Sequence, residues 1–199
     1  MVGEVIKENI VEVARLIYTR KLSDSAGGNI SVRQGDYVFI TPRYMGERRR
    51  WKIEVEDICV LDFNGRIVEG IGSPSRELSA HLGLYRSFPK VGAVIHAHPQ
   101  YALVFAVAGK PLPPVTEYAE AYGTIQLVEW AKGGSEELAK NIVSFVKKRE
   151  AELENHAVPV LIPRHGVIIA GRDLNDAYDT LERIDVNARC IILGRLITR

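Results

Sequence analysis

Cysteine is scarce in this chain, which has only two among its 199 residues, Cys59 and Cys190. Both lie in apolar surroundings, and neither belongs to a group of residues spaced like metal ligands. This usage excludes a disulfide scaffold and gives no support to a cysteine metal site. We expect both thiols to be reduced and to lie in the core, as in a cytoplasmic protein.

The chain also lacks a strong net charge and any long hydrophobic run. Its 26 Lys and Arg residues nearly balance 25 Asp and Glu, leaving a net charge of +1, which gives no electrostatic reason to expect a nucleic-acid partner. No apolar run approaches the roughly 20 residues of a membrane span, and residues 1–8 have no apolar signal core. We expect one domain over residues 1–199, with neither nucleic acid nor a membrane as its partner.

Short strands and helices alternate along the sequence without an internal repeat or a long linker. Apolar residues at helical spacing predict helices over about 3–20, from Ser75 onward, from Ser135 to about 150, and from Asp173 onward. A shorter helix is predicted over 100–107. Strands are predicted over 36–41, 58–62, 66–69, 93–98, 124–128, 158–163 and 167–170, with Asn64-Gly65 as a hairpin turn.

Two histidines, His96 and His98, end the buried strand that begins at Ala93. Residues two apart on a strand point to the same face, so the two imidazoles are expected side by side. Such a pair is suited to a divalent metal such as zinc, although a polar strand end with unrelated histidines is the alternative. His165, in a tight turn between two buried strands, is a candidate third ligand or else a core or turn residue.

Two further segments are candidates for binding an anion. Gly27 and Gly28 precede Asn29, and their amides form either a phosphate cradle or a plain turn. Ser75 occupies the predicted N-cap of the second helix, where free amides, a hydroxyl and the Arg76 guanidinium favour phosphate.

Other polar residues in these regions have ordinary interpretations. Glu77, in the first turn of the second helix, is by default a surface residue that stabilises the helix dipole. His81, one turn later, is interpreted as structural or solvent-facing. The basic segment Arg43–Arg50 either closes over an anionic substrate or forms a solvated loop.

In combination these motifs resemble the class II aldolase family, which includes fuculose-phosphate and rhamnulose-phosphate aldolases and ribulose-phosphate 4-epimerases. The resemblance covers nearly the whole chain and rests on four motifs in a fixed order: Gly28-Asn29-Ile30-Ser31, Ser75-Arg76-Glu77, His96-Ala97-His98-Pro99 and Arg164-His165-Gly166. It implies an α/β fold with three αβα layers around a central, mostly antiparallel sheet.

The resemblance also implies roles for individual residues. One Zn²⁺ per subunit would be bound by His96, His98 and His165. Glu77 would be the catalytic acid or base, and Tyr118 a proton donor to the site of a neighbouring subunit, with Tyr122 as a nearby alternative. The family's phosphate-binding positions fall on Gly28, Asn29, Thr41, Ser75 and Arg76. Members of the family are commonly homotetramers with active sites between subunits.

The implied activity is a zinc-dependent aldol cleavage. A ketose 1-phosphate similar to L-fuculose 1-phosphate would yield dihydroxyacetone phosphate and an aldehyde through a metal-stabilised enediolate. Ser75-Arg76 replaces the family's usual Ser-Ser, and the Arg43–Arg50 segment replaces a short Thr-Pro-x-Gly loop, so the sugar stays open.

Three alternatives remain. A methylthioribulose-1-phosphate dehydratase or a sugar-phosphate 4-epimerase would share the zinc site, although epimerases typically carry aspartate in place of Glu77. An adducin-head-like interaction domain without catalytic activity is the third alternative. The presence of all three histidines together with Glu77 argues against it.

Overall fold

A computed structural model describes residues 3–197. Six α-helices accompany seven strands in these residues. The helices are α1 (Glu4–Thr19), α2 (Met45–Arg49), α3 (Leu78–Ser87), α4 (Ala102–Ala108), α5 (Glu136–Lys147) and α6 (Leu174–Gly194). The strands are β1 (Asn29–Gln34), β2 (Tyr37–Ile40), β3 (Cys59–Asp62), β4 (Ile67–Glu69), β5 (Ala93–Ala97), β6 (Val158–Ile162) and β7 (Gly166–Gly171). No helix in this range is long and apolar enough to cross a membrane.

The seven strands form one sheet in the order β4-β3-β2-β1-β5-β7-β6. Each pair of neighbouring strands is antiparallel, which agrees with the prediction of a mostly antiparallel sheet. Strand β5 pairs with β1 and β7, so that His96 lies opposite Asn29 on one side and Ile168 on the other. Motifs that are distant in sequence therefore meet at the end of β5.

Helices cover both faces of the sheet, and the side chains of β5 and β7 alternate between two cores. Ile95 and Ile169 pack with the apolar faces of α1, α4 and α6. Val94 and Ile168 pack on the opposite face with α3 and α5. This alternation gives three αβα layers and confirms the predicted fold. Because alternate strand residues share a face, His96 lies on the α3 side together with Val94.

The helix starts predicted at Ser135 and Asp173 are correct, and both residues cap their helices. The Ser135 side chain accepts the Leu138 N–H at 3.1 Å, and Asp173 accepts the Asp176 N–H at 2.8 Å. The N-cap predicted at Ser75 is wrong, because a separate turn precedes α3. In that turn Ser75 accepts the Glu77 N–H at 3.3 Å, and Glu77 itself occupies the N-cap position.

Several other predictions about local structure are also wrong. Strand β1 contains Asn29 and Ser31, which the sequence placed in a glycine-rich loop. Residues 124–128 are not a strand: Ile125 forms an isolated bridge to Leu112 and Leu127 forms another to Leu161, so the segment extends neither pairing into a ladder. Cys59 is buried as expected, but Cys190 is exposed on α6.

Candidate active site

Three histidines converge at the end of β5. His96 is the fourth residue of that strand, His98 follows it directly, and His165 lies in the turn that joins β6 to β7. One ring nitrogen of each lies within 4.8 Å of the others, and the Nε2 atoms of His96 and His98 are 3.1 Å apart. The pairing of β5 with β7 thus brings all three predicted ligands together.

The chemistry of these imidazoles suits a divalent metal ion. Burial lowers the pKa of His96 to about 3 and also lowers the pKa of His165, so both rings are neutral at neutral pH. His96 Nδ1 lies 2.8 Å from the Val167 carbonyl oxygen and donates to it, which leaves the Nε2 lone pair facing the other histidines. Second bonds of this kind orient metal-binding histidines in general. The three residues fit a zinc ion.

His98 is oriented by a carboxylate that the sequence did not single out. Its Nδ1 lies 3.1 Å from Asp24 Oδ1, so Nδ1–H donates and Nε2 is left free. The same oxygen accepts the Ala26 N–H at 2.8 Å, and the Asp24 carbonyl oxygen accepts from Trp51 Nε1 at 2.8 Å. Asp24 is therefore held in place from both its side chain and its backbone.

Glu77 lies inside the site and is not the surface residue that its helix position suggested by default. Its Oε2 is 3.2 Å from His96 Nε2, its Oε1 is 3.4 Å from His165 Nε2, and only 12% of its side chain is exposed. Asn29 Nδ2 donates to Oε2 at 3.0 Å. Burial raises the pKa of Glu77, but His96, His165 and the Asn29 amide more than offset this effect, and the pKa falls to about 2.

The histidines and Glu77 line a cavity of about 140 Å³. Four of the five predicted phosphate-binding residues lie on its wall: Gly28, Asn29, Ser75 and Arg76. Ser75 and Arg76 therefore line the same space as the three histidines. The cavity can hold a small anionic ligand close to a metal ion and a carboxylate.

Two predicted site residues are not brought to this cavity. Thr41 is fully buried, and its Oγ1 accepts the Ile30 N–H at 3.1 Å, because the hydroxyl completes the pairing of β1 with β2. Tyr118 is 42% exposed and does not line the cavity of its own chain. Tyr122 is buried, and its hydroxyl accepts from Thr180 Oγ1 at 3.2 Å, so it is a core residue.

The basic segment after Thr41 contributes to the cavity wall, which its composition alone left open. Arg43, Tyr44 and Glu47 line the cavity, and residues Met45–Arg49 form the short helix α2. Tyr44 has a positive φ of 64°, and its ring contacts the guanidinium carbons of Arg43 and Arg48 at 4.8 and 4.4 Å from its centroid. Two arginines therefore stack on one tyrosine at this wall.

A glycine pair beside His165 was also missed as part of the site. Gly133 and Gly134 line the cavity beside His165. A Cβ atom added at Gly133 would lie 2.9 Å from His165 Cε1, a distance that real Cβ atoms essentially never show. The sequence signal was present, since two glycines directly precede Ser135, but it indicated only the start of a helix.

Comparisons with known proteins agree with this geometry. The family described as Class II Aldolase and Adducin N-terminal domain matches residues 8–192. An L-fuculose phosphate aldolase of Methanococcus maripaludis is 33% identical over 178 residues, covering 89% of this chain and 91% of the relative. A 3-oxo-tetronate 4-phosphate decarboxylase of Haemophilus influenzae is 30% identical over 193 residues, with coverages of 92% and 85%.

A solved structure of an L-fuculose 1-phosphate aldolase has a TM-score of 0.83 and 29% identity, covering all of this chain and 90% of that one. The match thus extends from the sequence motifs to the arrangement of the whole sheet and its helices. This chain belongs to the class II aldolase and adducin N-terminal domain family.

Proposed function

We propose that this chain is a zinc-dependent aldolase that reversibly cleaves a ketose 1-phosphate, similar to L-fuculose 1-phosphate, into dihydroxyacetone phosphate and an aldehyde. The observation that carries the proposal is the meeting of His96, His98 and His165 with Glu77 in one cavity that also presents Arg76. An interaction domain of the adducin type has no use for this arrangement. The names of the aldolase relatives support the same activity.

The three imidazoles would hold the metal, and Glu77 would move the proton. A bound zinc ion supplies Lewis-acid polarisation of the substrate's carbonyl and adjacent hydroxyl oxygens. Cleavage of the bond between the third and fourth carbons leaves an enediolate on the half that becomes dihydroxyacetone phosphate. Glu77 delivers a proton to the third carbon in cleavage and removes it in synthesis. Its burial beside His96 keeps bulk water away from that exchange.

The phosphate would bind along the wall formed by Gly28, Ser75 and Arg76. A hydroxyl and a guanidinium are donors well matched to phosphate oxygens. Asn29 has two hydrogens on Nδ2, of which one is directed to Glu77, so the other can reach a ligand. The Thr41 hydroxyl is left out of the proposed set, because it is fully buried.

Tyr118 would complete the site from a second copy of the chain. Its side chain is exposed and absent from the cavity of its own chain, as expected of a residue that acts on a neighbour. Its hydroxyl would exchange a proton with the oxygen that becomes the aldehyde. We therefore propose a cytoplasmic homotetramer of one-domain subunits with active sites between them.

A 3-oxo-tetronate 4-phosphate decarboxylase is the second candidate, because one such enzyme is 30% identical over 193 residues. Loss of carbon dioxide from that acid leaves the same three-carbon enediolate as aldol cleavage. The two activities then differ only in the group that departs. Glu77 would serve both, whereas Tyr118 would be needed only for the aldehyde.

The experiment offers L-fuculose 1-phosphate and 3-oxo-tetronate 4-phosphate separately to the zinc-loaded protein. Dihydroxyacetone phosphate is followed by its enzymatic reduction with NADH. Release from the sugar phosphate supports the aldolase, and release from the acid alone would replace it with the decarboxylase. Release from neither contradicts the proposal and favours the dehydratase or the 4-epimerase. Glu77→Gln serves as the control variant, which should retain zinc and lose roughly 100-fold or more in rate.

A further inference from the structure

His81 has no part in the chemistry above, yet its side chain is fully buried one helical turn after Glu77. Its Nδ1 lies 2.6 Å from Ser31 Oγ, and its Nε2 lies 2.5 Å from Asn29 Oδ1. Ser31 Oγ is also 2.7 Å from the Tyr85 hydroxyl, while Asn29 Nδ2 donates to Glu77 at 3.0 Å. Five side chains thus form one continuous chain of hydrogen bonds that ends at the cavity.

The spacing of these residues in the sequence explains how the chain of hydrogen bonds forms. Glu77, His81 and Tyr85 are four residues apart, so they follow one face of α3 at intervals of about 6 Å. Asn29 and Ser31 are two residues apart, so they follow one face of β1 at an interval of about 6.7 Å. Because the two intervals nearly match, the side chains of the helix and the strand alternate along their contact.

The chemistry of the groups fixes the direction of each bond. The Glu77 carboxylate accepts, so Asn29 must turn Nδ2 toward Glu77 and Oδ1 toward His81. His81 Nε2 must then carry the ring proton, and Nδ1 accepts the Ser31 hydroxyl. Ser31 has only one proton, so the Tyr85 hydroxyl donates to it. Every donor in this chain of hydrogen bonds therefore points toward Glu77.

The surroundings support a single arrangement of these protons. Ser31, His81, Tyr85 and Asn29 are all at most 3% exposed, so water does not compete for their bonds. Burial lowers the pKa of His81 to about 4, which keeps the ring neutral with one N–H at neutral pH. A chain of buried, fully paired polar groups is rigid, and it specifies one geometry.

We propose that His81 is a positioning residue that fixes the Asn29 amide in one orientation and thereby holds the Glu77 carboxylate at the cavity. This inference rests on the proposed function, in which Glu77 moves a proton. If the Asn29 amide turned over, its carbonyl oxygen would face the carboxylate and repel it. The His81 N–H prevents that turn, because it binds only the oxygen of Asn29.

Two substitutions of His81 form a matched pair for the test. The amide nitrogen of His81→Gln reaches the place of Nε2 and can still donate to Asn29. The shorter side chain of His81→Asn reaches only the place of Nδ1 and leaves Asn29 without its donor. Both variants remove the ring, so the loss of its packing is common to both.

The measurement is the zinc-dependent exchange of solvent deuterium into dihydroxyacetone phosphate, expressed per bound zinc. We expect His81→Gln to stay within about threefold of the original kcat and His81→Asn to lose roughly 10- to 100-fold, with KM and zinc stoichiometry unchanged in both. Equal rates for the two variants would overturn the inference. A residue that only packs would lower the unfolding temperature of both variants without separating their kcat values.

A second measurement needs no substitution, so the inference can still be tested if His81→Asn fails to fold. Nitrogen-15 NMR of histidine-labelled protein should show a neutral His81 ring with its proton on Nε2. A proton on Nδ1 would overturn the inference. Absence of exchange in the unsubstituted zinc-loaded protein would instead contradict the proposed function, and the NMR result would still decide the role of His81.

Discussion

Asp24 offers a direct way to perturb the proposed metal site, because it contacts one predicted ligand and does not line the cavity. Its Oδ1 accepts from His98 Nδ1 at 3.1 Å. Removing this acceptor frees the His98 ring to rotate and lowers the basicity of the nitrogen that faces the metal. We therefore expect Asp24→Ala to bind zinc more weakly than the unsubstituted protein.

The structure limits the size of this effect. Loss of a hydrogen-bond partner behind a metal ligand typically costs roughly 10- to 100-fold in affinity. The Asp24 side chain is 52% exposed, so solvent screens its charge and the lower end applies. We expect Asp24→Ala to lose about 10-fold, or about 1.4 kcal/mol. Asp24→Asn keeps an oxygen acceptor but loses its charge, and about threefold is expected.

Zinc affinity is measured by competition with a chromophoric chelator at neutral pH. Asp36→Asn is the matched control, because Asp36 is an exposed acid in the turn between β1 and β2, at the other end of β1 from the site. Its affinity should equal that of the unsubstituted protein. An Asp24→Ala affinity within about twofold of the original value would refute a role for Asp24 in orienting His98.

Three further predictions concern residues around the same site. Gly133→Ala should weaken zinc binding by about 10-fold or more in the chelator competition, because its Cβ would lie 2.9 Å from His165 Cε1. Unchanged zinc affinity would show that the His165 ring can move away from the added Cβ without loss of the metal site. Tyr118→Phe should keep deuterium exchange into dihydroxyacetone phosphate but lose roughly 100-fold in the rate of aldol addition. Tyr122→Phe alters a buried residue and should keep the addition rate per folded chain. Equal losses of the addition rate in the two variants would remove Tyr118 from the mechanism. Burial lowers the pKa of His81 to about 4, so the unfolded chain binds one more proton than the folded chain as pH falls from about 6.5 to about 4. In urea unfolding, the metal-free protein should therefore lose up to about 3 kcal/mol of stability across this pH range. His81→Gln should show a flatter dependence of stability on pH, and identical dependences would contradict the neutral, buried state assigned to His81.

The parts of the site that the sequence predicted are those carried by short motifs. His96 and His98 are two residues apart on a strand, and that spacing alone places them on one face. His165 was one candidate ligand with an ordinary alternative, and Glu77 was by default a surface residue, so only the family resemblance chose a role for them; their approach depends on the pairing of β5 with β7 and on the packing of α3. The structure brings all four residues together.

The parts that the sequence did not predict depend on contacts between segments. Asp24 contacts a ligand 74 positions away in the chain, and no local pattern indicates that approach. Thr41 matched a family position, but its hydroxyl is used by the sheet. Cys190 has apolar neighbours in sequence, yet a helix turns successive residues to different faces, and its own position faces outward.

His81 was predicted to be structural or solvent-facing, and its full burial agrees with the structural alternative. The interval of four residues from Glu77 to His81 and again to Tyr85 marks one face of a helix. The matching pair, Asn29 and Ser31, was assigned to a loop, so no partner for that face was apparent. Recognising β1 as a strand would have placed both side chains on one face, but the packing of that face against α3 is a contact between distant segments.

The central claim is that this cavity forms an enediolate from dihydroxyacetone phosphate with the help of a metal ion. The most direct test is NMR detection of solvent deuterium entering dihydroxyacetone phosphate in the presence of the zinc-loaded protein, with and without a chelator. The account predicts exchange that the chelator abolishes and added zinc restores. Exchange that is absent with zinc bound, or that persists after zinc is removed, would contradict it.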